Sequence, residues 1–327
     1  MNLIGVSVII CTYNGRNRLK KTIDHLLNQN PEFDFEIILV DNASKDDTAE
    51  WVISYLQKFP DVTNFRIIEE SRPGLNHARI TGFRASSFDL ILFCDDDNWL
   101  APDFLTIGSR YLNENPKAGV LGSLGIPVFE IEKPEWFSDF SHTYAVGSLG
   151  KKPGIQPVGS FHYGAACFFR KTALEKLEEL GFESFLSDRK GKGLNSGGDV
   201  ELCLAVQLVG YELHFDDRLT FKHFIETHRL NWNYYLKLKE GISSSFPILE
   251  SYKVHEFSEL NSFKKHLWKN YFIILKGVIK SNLLGFFSSE NLNQVNRVTT
   301  KTKLFSFFKN YNKTLEAFRA NQKLFNA

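Results

Sequence analysis

The sequence predicts an α/β fold with a parallel sheet, and two observations support that prediction. Apolar, β-branched runs alternate with stretches of helical spacing over the first third of the chain, and short polar clusters directly follow three of these runs. Such alternation is typical of parallel strands joined by right-handed helical crossovers. Because ligands of these sheets bind beyond the carboxyl ends of the strands, the polar clusters predict a binding crevice at that edge.

Four strands and three helices are predicted in this part of the chain. The run over residues 6–11 is rich in Val and Ile and is predicted to be the first strand. Leu19, Ile23 and Leu26 recur at helical spacing, which predicts a helix over residues 16–28. The other predicted elements are strands over residues 36–40, 65–68 and 90–94 and helices over residues 47–59 and 74–85.

The polar clusters are residues 12–14, 41–42 and 95–97, the last being three consecutive Asp residues. Adjacent carboxylates repel one another, and either solvent or a divalent cation lowers that repulsion. A solvated acidic turn would explain the third cluster taken alone. Convergence of all three clusters on one crevice favours a bound cation.

Two common phosphate-binding motifs are missing. No Gly-x-Gly-x-x-Gly follows the first strand, and no Gly-x-x-x-x-Gly-Lys-Ser/Thr occurs in the chain. Dinucleotide redox chemistry and P-loop phosphoryl transfer are therefore disfavoured. A diphosphate bound without a glycine-rich loop needs a metal or Arg to neutralise its charge. Mg²⁺ and Mn²⁺ prefer oxygen ligands and share them with substrate phosphates, so the acidic cluster predicts a metal-bridged nucleotide diphosphate.

Ordered motifs extend through residues 5–225. They lie at residues 7–14, 40–44, 74–82, 95–97, 164–171, 197–202 and 210–211, together with His223. In this order they resemble the signatures of family 2 glycosyltransferases of the GT-A fold. The resemblance implies an inverting enzyme that uses a nucleotide diphosphate sugar. It also implies a Rossmann-like nucleotide-binding sheet with an acceptor-side subregion and a mainly helical C-terminal extension.

The resemblance implies a nucleotide-sugar site. Its residues would be Thr12, Tyr13, Asp41, Arg79, Asp95 and Asp96. Asp41 would accept a hydrogen bond from the imide of uracil or a similar base, and Thr12 and Tyr13 would line the base and ribose pocket. Arg79 would approach the ribose or the diphosphate, where a cation offsets negative charge, and Asp95 would lie nearer the ribose.

Each of these residues also has an ordinary structural interpretation. Asp41 is a candidate helix cap or turn residue, and Tyr13 is a candidate packing residue. Arg79 is able to pair with a neighbouring acid such as Glu69. A specific role for Asp96 does not follow from the resemblance.

The resemblance also implies a metal site and a general base. Asp97 and His223 would be ligands of Mn²⁺ or Mg²⁺, and a neutral imidazole suits Mn²⁺ better. Asp199 would take the proton of the acceptor hydroxyl as that oxygen attacks the anomeric carbon. The alternative for Asp199 is a cap of a helix beginning near Val200. The family pattern before this base is commonly Glu, whereas this chain has Gly198, so a neighbouring carboxylate is missing.

Two units are predicted along the chain. Residues 1–249 would form the catalytic domain, with a nucleotide-sugar half over residues 1–125 and an acceptor half over residues 126–249. Residues 250–327 would form a basic, Phe-rich helical extension, since they contain 13 Lys and Arg against 5 Asp and Glu.

The basic residues of the extension recur at helical spacing. Lys265, Lys269, Lys276 and Lys280 fall on one side of the predicted helix, and apolar residues such as Ile274 fall on the other. This pattern predicts peripheral contact with an anionic bilayer, where a lipid-linked acceptor would be met. The alternative is a helix packed on the catalytic domain with a solvated basic face.

Two further segments are predicted to border the acceptor site. Residues 130–159 contain Pro and Gly, and Trp136, Phe137 and Tyr144 are predicted either to face the acceptor or to pack against the sheet. Residues 187–198 are rich in Gly, Lys and Ser, which predicts a closing loop just before Asp199.

Composition predicts a cytoplasmic enzyme, and peripheral contact through the extension would place it at the inner face of the cell membrane. The four Cys residues show no metal-like spacing and are predicted to be reduced core residues. No segment has the run of about 18 apolar residues that a membrane span needs. Nucleic acid is not an expected partner, because the basic residues lie in a tail without a known binding motif.

The predicted function is transfer of a sugar from a nucleotide diphosphate sugar, UDP-linked by preference, to a hydroxyl of a glycan or lipid-linked glycan. Two alternatives stay open at this point. A sugar nucleotidyltransferase would need a glycine-rich basic loop after the first strand, which residues 14–18 match only weakly. A noncatalytic glycan-binding protein of the same fold would bind without turnover.

Overall fold

The computed structural model describes residues 3–189, 193–283 and 289–327, without the side chains of residues 280–283. The predicted place of Lys280 on a basic helix face therefore lies outside the described residues, as do residues 190–192 of the predicted closing loop. The strands are β1 (Val6–Thr12), β2 (Phe35–Asp41), β3 (Phe65–Glu69), β4 (Leu90–Asp95), β5 (Asn98–Leu100), β6 (Ala118–Phe129), β7 (Gly154–Ile155), β8 (Cys167–Arg170) and β9 (Glu212–Ile225). The helices are α1 (Leu19–Leu27), α2 (Thr48–Leu56), α3 (Leu75–Ala85), α4 (Phe104–Glu114), α5 (Phe137–Phe140), α6 (Lys171–Glu179), α7 (Gly198–Leu208), α8 (Trp232–Ser244), α9 (Phe246–Glu250), α10 (Leu260–Leu283) and α11 (Glu290–Phe325).

The described strands form one mixed sheet in the order β3-β2-β1-β4-β8-β6-β9-β5, with β7 paired to β9. Strand β1 pairs in parallel with β2 and β4, as the alternating pattern predicted. The register places Thr12 opposite Asp41 and Cys11 opposite Asp95, so the polar clusters lie at one edge. Strand β8 runs antiparallel to β4 and β6, which the sequence pattern did not reveal.

The second half of the sheet brings a distant residue to the acidic cluster. Strand β5 pairs antiparallel with β9, and this register places Asn98 opposite His223. Because Asn98 directly follows Asp97, the pairing carries His223 to the carboxyl end of β4. The site is therefore assembled from both halves of the chain.

Helices cover both faces of the sheet, because successive strand residues point to opposite sides. On one face, Val8 and Ile10 of β1 pack in a core with residues of α1, α2 and α4. On the other face, Ile9 packs in a core shared with α3, α6 and α7 and with Phe263 and Phe318 of the extension.

The extension packs on the rest of the chain through its inner side. The rings of Phe263 in α10 and Phe318 in α11 stack with centroids 4.0 Å apart. Helix α11 also contacts α7, α8 and α9, and Trp232 donates a hydrogen bond from Nε1 to Oε1 of Gln294 at 2.7 Å. The inner face of the extension thus has the packed arrangement that was the alternative to membrane contact.

The aromatic residues of segment 130–159 lie inside the protein. Phe137 and Tyr144 are buried and Trp136 is half-buried, in a cluster with residues of α8 such as Tyr235. Of the two predicted placements, packing is the one found for Trp136 and Phe137, whereas Tyr144 both packs in this cluster and lines the cleft at the strand ends. Among the described cysteines, three are buried and Cys11 is half-buried, and all four are free thiols. None of the described helices is both long and apolar enough to cross a membrane.

Candidate active site

A cleft of about 530 Å³ opens at the carboxyl ends of β1 and β4. It brings together most of the predicted site residues. Those that line it are Thr12, Tyr13, Arg79, Asp95, Asp96, Asp97, Asp199 and His223, and they are joined by Arg18, Asp188 and Arg229.

Asp96 is held by side chains of the protein. Its Oδ2 accepts a hydrogen bond from Thr12 Oγ1 at 2.7 Å, and its carboxylate takes a two-point contact from Arg18 at 3.0 and 2.7 Å. The backbone oxygen of Asp96 also accepts a hydrogen bond from Thr22 of α1 at 2.9 Å. A Cβ at Gly15 would lie 2.7 Å from the Asp96 carboxylate, so glycine is needed there. Asp96 therefore fixes the acidic turn against β1 and α1.

Asp97 lies in a buried group with Arg229 and His223. Its Oδ2 accepts a hydrogen bond from Arg229 Nη1 at 2.7 Å and is 3.4 Å from Nε2 of His223. Burial alone would raise the pKa of Asp97, but the charges of His223, Arg229 and Arg18 hold it below its ordinary value. Asp97 is thus an anion whose charge is already partly offset by protein cations.

Asp95 has a different environment from its two neighbours. Its carboxylate forms no hydrogen bond or ion pair with the described side chains, although it lines the cleft. Burial and the charge of Asp97 raise the pKa of Asp95, while Arg79 and Arg189 oppose that shift.

The cleft offers donors that suit a divalent cation. Oδ1 of Asp97 and Nδ1 of His223 are buried, and neither has a hydrogen-bond partner among the described residues. Together with the Asp95 carboxylate they form an oxygen-rich set with one imidazole, which suits Mn²⁺. Within the described part of the chain, no three such side chains are already grouped closely enough to hold a metal. The donor types therefore fit, and binding would require these side chains to move closer together.

Asp199 lies in the first turn of α7. Its Oδ2 accepts a hydrogen bond from the backbone N–H of Gly164 at 2.8 Å, and its Oδ1 accepts one from Val200 at 2.9 Å. The helix begins at Gly198 and its cap is Gly197, so the interpretation of Asp199 as the helix cap is wrong. The position beside the positive end of the helix favours a carboxylate.

Arg79 is buried beside Asp199 but pairs with another residue. Its Nη1 is 3.3 Å from Oδ2 of Asp188, and both side chains are buried. The predicted alternative partner, Glu69, is exposed on β3 and forms no such contact with Arg79. The sequence reasoning did not single out Asp188.

Asp41 lies at the end of β2 but does not line the cleft. Its Oδ1 accepts a hydrogen bond from the backbone N–H of Ser44 at 3.2 Å, as a turn residue would. The neighbouring Asn42 does line the cleft. Its Nδ2 donates a hydrogen bond to the backbone oxygen of Arg72 at 2.7 Å, and its Oδ1 accepts one from the backbone N–H of Gly74 at 2.8 Å. Tyr13 lines the cleft with 36% of its surface exposed.

The ion-pair roles of three cleft residues, Arg18, Asp188 and Arg229, were not predicted. Each forms an ion pair across the fold, with a partner 78, 109 or 132 positions away in the chain. Such pairs leave no local pattern. Residues 229–232 were expected to border the acceptor site because they follow His223, and Arg229 does line the cleft. The available signal was proximity to a motif, since Arg18 follows the first strand and Arg229 follows His223.

Comparison with known proteins supports a common fold. A mannosyltransferase from Pyrobaculum calidifontis, solved with GDP-Man and Mn²⁺, superposes with a TM-score of 0.59 at 17% identity and covers 98% of this chain and 86% of that one. The S. aureus protein TarS, residues 1–349 with UDP, superposes with a TM-score of 0.51 at 15% identity and covers 94% of this chain and 91% of that one. These likenesses confirm the predicted α/β fold of GT-A type.

Sequence relatives have glycosyltransferase names. The poly(ribitol-phosphate) beta-N-acetylglucosaminyltransferase TarP of Staphylococcus aureus is 28% identical over 122 residues, which is 37% of this chain and 37% of that protein. The first curated relatives are matched over 14% to 37% of their own length. The model of the family described as glycosyl transferase family 2 matches residues 7–178, more than half of the chain. The ordered motifs, the cleft at the strand ends and this match lead to one conclusion: the chain belongs to glycosyl transferase family 2.

Proposed function

We propose that this protein transfers a sugar, with inversion, from a nucleotide diphosphate sugar to a hydroxyl of a glycan or lipid-linked glycan. The observation that carries the proposal is the placement of Asp199 in the same cleft as Asp95 and Asp97. Such a displacement needs one carboxylate that takes a proton and an acidic pair beside the donor phosphates.

The donor would lie across the ends of β1 and β4. Thr12 and Tyr13 would border the base and ribose, and Asp95 would lie near the ribose. Asp96, already bonded to Arg18 and Thr12, would keep these residues in place. We propose that Asp41, which directly precedes the cleft residue Asn42, accepts a hydrogen bond from the base through the oxygen that does not bond Ser44. The donor is proposed to be UDP-linked; of the two similar structures, one was solved with UDP and the other with GDP-Man, so the binding test below compares both nucleotides.

Asp199 would act as the general base. Each of its oxygens accepts a single backbone hydrogen bond, so each retains a lone pair for an acceptor hydroxyl. As the acceptor oxygen attacks the anomeric carbon, its proton passes to Asp199 and the bond to the nucleotide diphosphate breaks. The backbone contacts hold the carboxylate in one orientation through the reaction.

The proposed metal is Mn²⁺ or Mg²⁺, held by Asp97 and His223 with Asp95 close by. When bound, a divalent cation would offset the charge of the departing diphosphate. The proposal is supported by the unpartnered Oδ1 of Asp97 and by the fold likeness to a protein solved with Mn²⁺. Arg79 and Arg229 lie in the same cleft and add positive charge toward the donor.

The structure weighs against a sugar nucleotidyltransferase. That activity would need the basic residues after β1 to be free to hold triphosphate. Arg16 instead pairs with Asp47 at 2.9 Å, and Arg18 pairs with Asp96 at 2.7 Å. Both guanidinium groups are therefore engaged by the protein itself.

The test begins with ligand binding. Thermal unfolding is measured with UDP, GDP, CMP and their sugars, each with and without Mn²⁺. A ligand that binds only the folded chain adds about 2.7 kcal/mol at 100 times its Kd, so the effective nucleotide shifts Tm measurably. Asp97→Ala should abolish the metal-dependent part of that shift. No response to any nucleotide would contradict the proposed donor site.

The second test measures transfer from the nucleotide sugar identified in this way. Asp199→Asn should lower kcat by about 100-fold or more and leave the donor Kd nearly unchanged, because only the proton acceptor is lost. Asp217→Asn, an exposed carboxylate outside the cleft, is the matched control and should retain full activity. Tight donor binding by a wild-type chain that never transfers sugar would favour the noncatalytic alternative.

We also propose that the extension docks peripherally on an anionic bilayer, at the inner face of the cell membrane. Its outer side carries an aromatic patch formed by Trp268, Phe272, Phe305 and Phe308, which are 41% to 64% exposed. Tyr271 contacts both Phe272 and Phe308, so the patch is continuous across α10 and α11.

Exposed basic residues lie close in sequence to the residues of the aromatic patch. Residues 260–327 contain 12 Lys and Arg against 2 Glu. Five exposed lysines lie within four positions of a patch residue along α10 or α11, namely Lys265, Lys269, Lys276, Lys301 and Lys309. Exposed aromatics bordered by cations complement the interface of an anionic membrane.

Membrane docking is tested with point variants of the full chain, because the inner face of the extension belongs to the protein core. The full chain should sediment with vesicles containing anionic lipid and much less with zwitterionic vesicles. Phe272→Ser combined with Phe308→Ser should weaken binding, while Phe325→Ser, which changes an exposed ring at the end of α11, should not. Equal sedimentation of the double variant and the wild type would refute membrane docking through this patch. If a second copy of the chain covered the aromatic patch instead, the protein would form a dimer in solution.

A further inference from the structure

The space beside Gly198 is occupied by a carboxylate from another part of the chain. A Cβ built on Gly198 would lie 2.5 Å from Oδ2 of Asp188 and 2.8 Å from Oδ1 of Asn76. A residue with a side chain at position 198 would therefore displace the Asp188 carboxylate. Gly198, which directly precedes Asp199, therefore makes room for the Asp188 carboxylate.

The segment that carries Asp188 is anchored from two helices. Glu201 of α7 accepts hydrogen bonds from the backbone N–H groups of Phe185 and Leu186 at 2.9 and 3.1 Å. Asn76 of α3 donates to the backbone oxygen of Leu186 at 3.1 Å. Asp188 itself has φ of +45° and is only 4% exposed. These contacts hold the carboxylate in a defined buried position.

Arg79 links this carboxylate to the proposed base. Of the carboxylates in the described residues, Asp188 alone lies within ion-pair distance of Arg79, at 3.3 Å. A Cβ built on Gly164 would lie 2.6 Å from Nη2 of Arg79 and 2.8 Å from Cβ of Asp199. The guanidinium therefore lies beside Asp199 while its ion pair is with Asp188.

We infer that Asp188 is a positioning residue, which replaces from a loop the carboxylate missing at position 198 and holds Arg79 so that Asp199 stays free for the acceptor hydroxyl. This inference rests on the proposed function for the role of Asp199. Without Asp188, the buried guanidinium has Asp199 as a neighbouring carboxylate with which to pair. A base paired to Arg79 would lose lone pairs and basicity needed for proton transfer.

The experiment moves the carboxylate from one position to the other. Asp188→Ala should lower kcat at least about 10-fold, a part of the general-base contribution, with the donor Kd changed less than about threefold. Asp188→Asn should also lose activity, because it keeps the shape and removes the charge. Adding Gly198→Asp to Asp188→Ala should restore at least a third of the lost kcat, since the new side chain starts about 2.5 Å from the vacated oxygen position. Adding Gly198→Ala instead is the matched control and should restore none.

Stability gives a readout that does not depend on turnover. Gly198→Ala should lower Tm in the wild-type chain, where its methyl group meets the Asp188 carboxylate, and should lower it less in the Asp188→Ala chain, where the 2.8 Å contact with Oδ1 of Asn76 remains. Equal effects in the two backgrounds would overturn the packing relation. Full activity of Asp188→Asn, or no recovery by Gly198→Asp in a folded Asp188→Ala chain, would overturn the positioning role.

Failure of the proposed function would look different. A wild-type chain that transfers no sugar would refute glycosyl transfer and, with it, the role assigned to Asp188. The Tm cycle between positions 188 and 198 would then still decide whether the loop carboxylate occupies the space at Gly198.

Discussion

Replacing Glu201 with alanine is expected to destabilise the fold and loosen the loop that carries Asp188. Glu201 is fully buried in α7, and its carboxylate accepts hydrogen bonds from Ser184, Phe185, Leu186 and Tyr252. Burial raises the pKa of this carboxyl, and the hydrogen bonds oppose that shift. The side chain does not line the cleft, so its effect on activity would act through the loop.

The size of the effect follows from the donors left behind. Tyr252 is 3% exposed, and its hydroxyl would lose its acceptor at 3.0 Å, which costs about 1–3 kcal/mol. The N–H groups of Phe185 and Leu186 are only half-buried and regain some hydration, so they add about 0.5–1 kcal/mol each. Relief of the buried charge offsets part of this. A net loss of about 3 kcal/mol in the free energy of unfolding is expected.

The assay is urea unfolding followed by circular dichroism, combined with kcat measurement. Two variants bracket the result. Tyr252→Phe removes one of the same hydrogen bonds and should cost about 1 kcal/mol. Glu178→Ala breaks an exposed ion pair with Arg84 and should cost less than about 1 kcal/mol.

The outcome that refutes this reasoning is a stability loss no larger than that of Glu178→Ala. It would mean that water or neighbouring groups replace the carboxylate as acceptor. Retention of full kcat in a measurably destabilised Glu201→Ala chain would separate the loop anchor from the function of Asp188.

Three further predictions concern single residues. Burial lowers the pKa of His162 from 6.5 to about 3, so the folded chain stays neutral there while the unfolded chain takes up a proton as pH falls. Because of His162, the free energy of unfolding should fall by about 1.4 kcal/mol as the pH is lowered from 7.5 to 5.5. Urea unfolding at both pH values should show that His162→Gln lacks this part of the pH dependence. Arg229→Met should destabilise the metal-free chain by about 3 kcal/mol, because Asp97 loses its buried partner, and Mn²⁺ should raise its Tm more than that of the wild type. Gly164→Ala should lower kcat by about 100-fold, because its methyl group would press on Asp199, whereas unchanged kcat would contradict that geometry.

The strand edge of the site was predictable from sequence because it depends on local patterns. Parallel strands joined by right-handed crossovers have their carboxyl ends at one edge of the sheet, so the residues after β1, β2 and β4 were expected to meet. The observed registers place Thr12 beside Asp41 and Cys11 beside Asp95, as that reasoning requires. The predicted strand bounds differ from the observed ones by at most one residue at each end.

The ion pairs of the cleft were not predictable in the same way. Charged residues are common on the surface, and the choice of partner depends on loop paths that no local pattern encodes. Glu69 is near Arg79 in sequence but points outward on β3, whereas Asp188 arrives from a loop more than 100 positions away. The aromatic residues of segment 130–159 were ambiguous for a related reason, since their packing partners, such as Tyr235, come from α8.

The three consecutive carboxylates show how one sequence motif separates into different roles. Their mutual repulsion suggested a bound cation, yet Arg18 already neutralises Asp96 and Arg229 already offsets Asp97. The acidic run alone is therefore weaker evidence for a metal than it appeared in the sequence. What remains without a partner among the described residues is the carboxylate of Asp95, Oδ1 of Asp97 and Nδ1 of His223. The case for a metal depends on those three groups, and the response of Arg229→Met to Mn²⁺ tests it because that variant removes the competing protein cation.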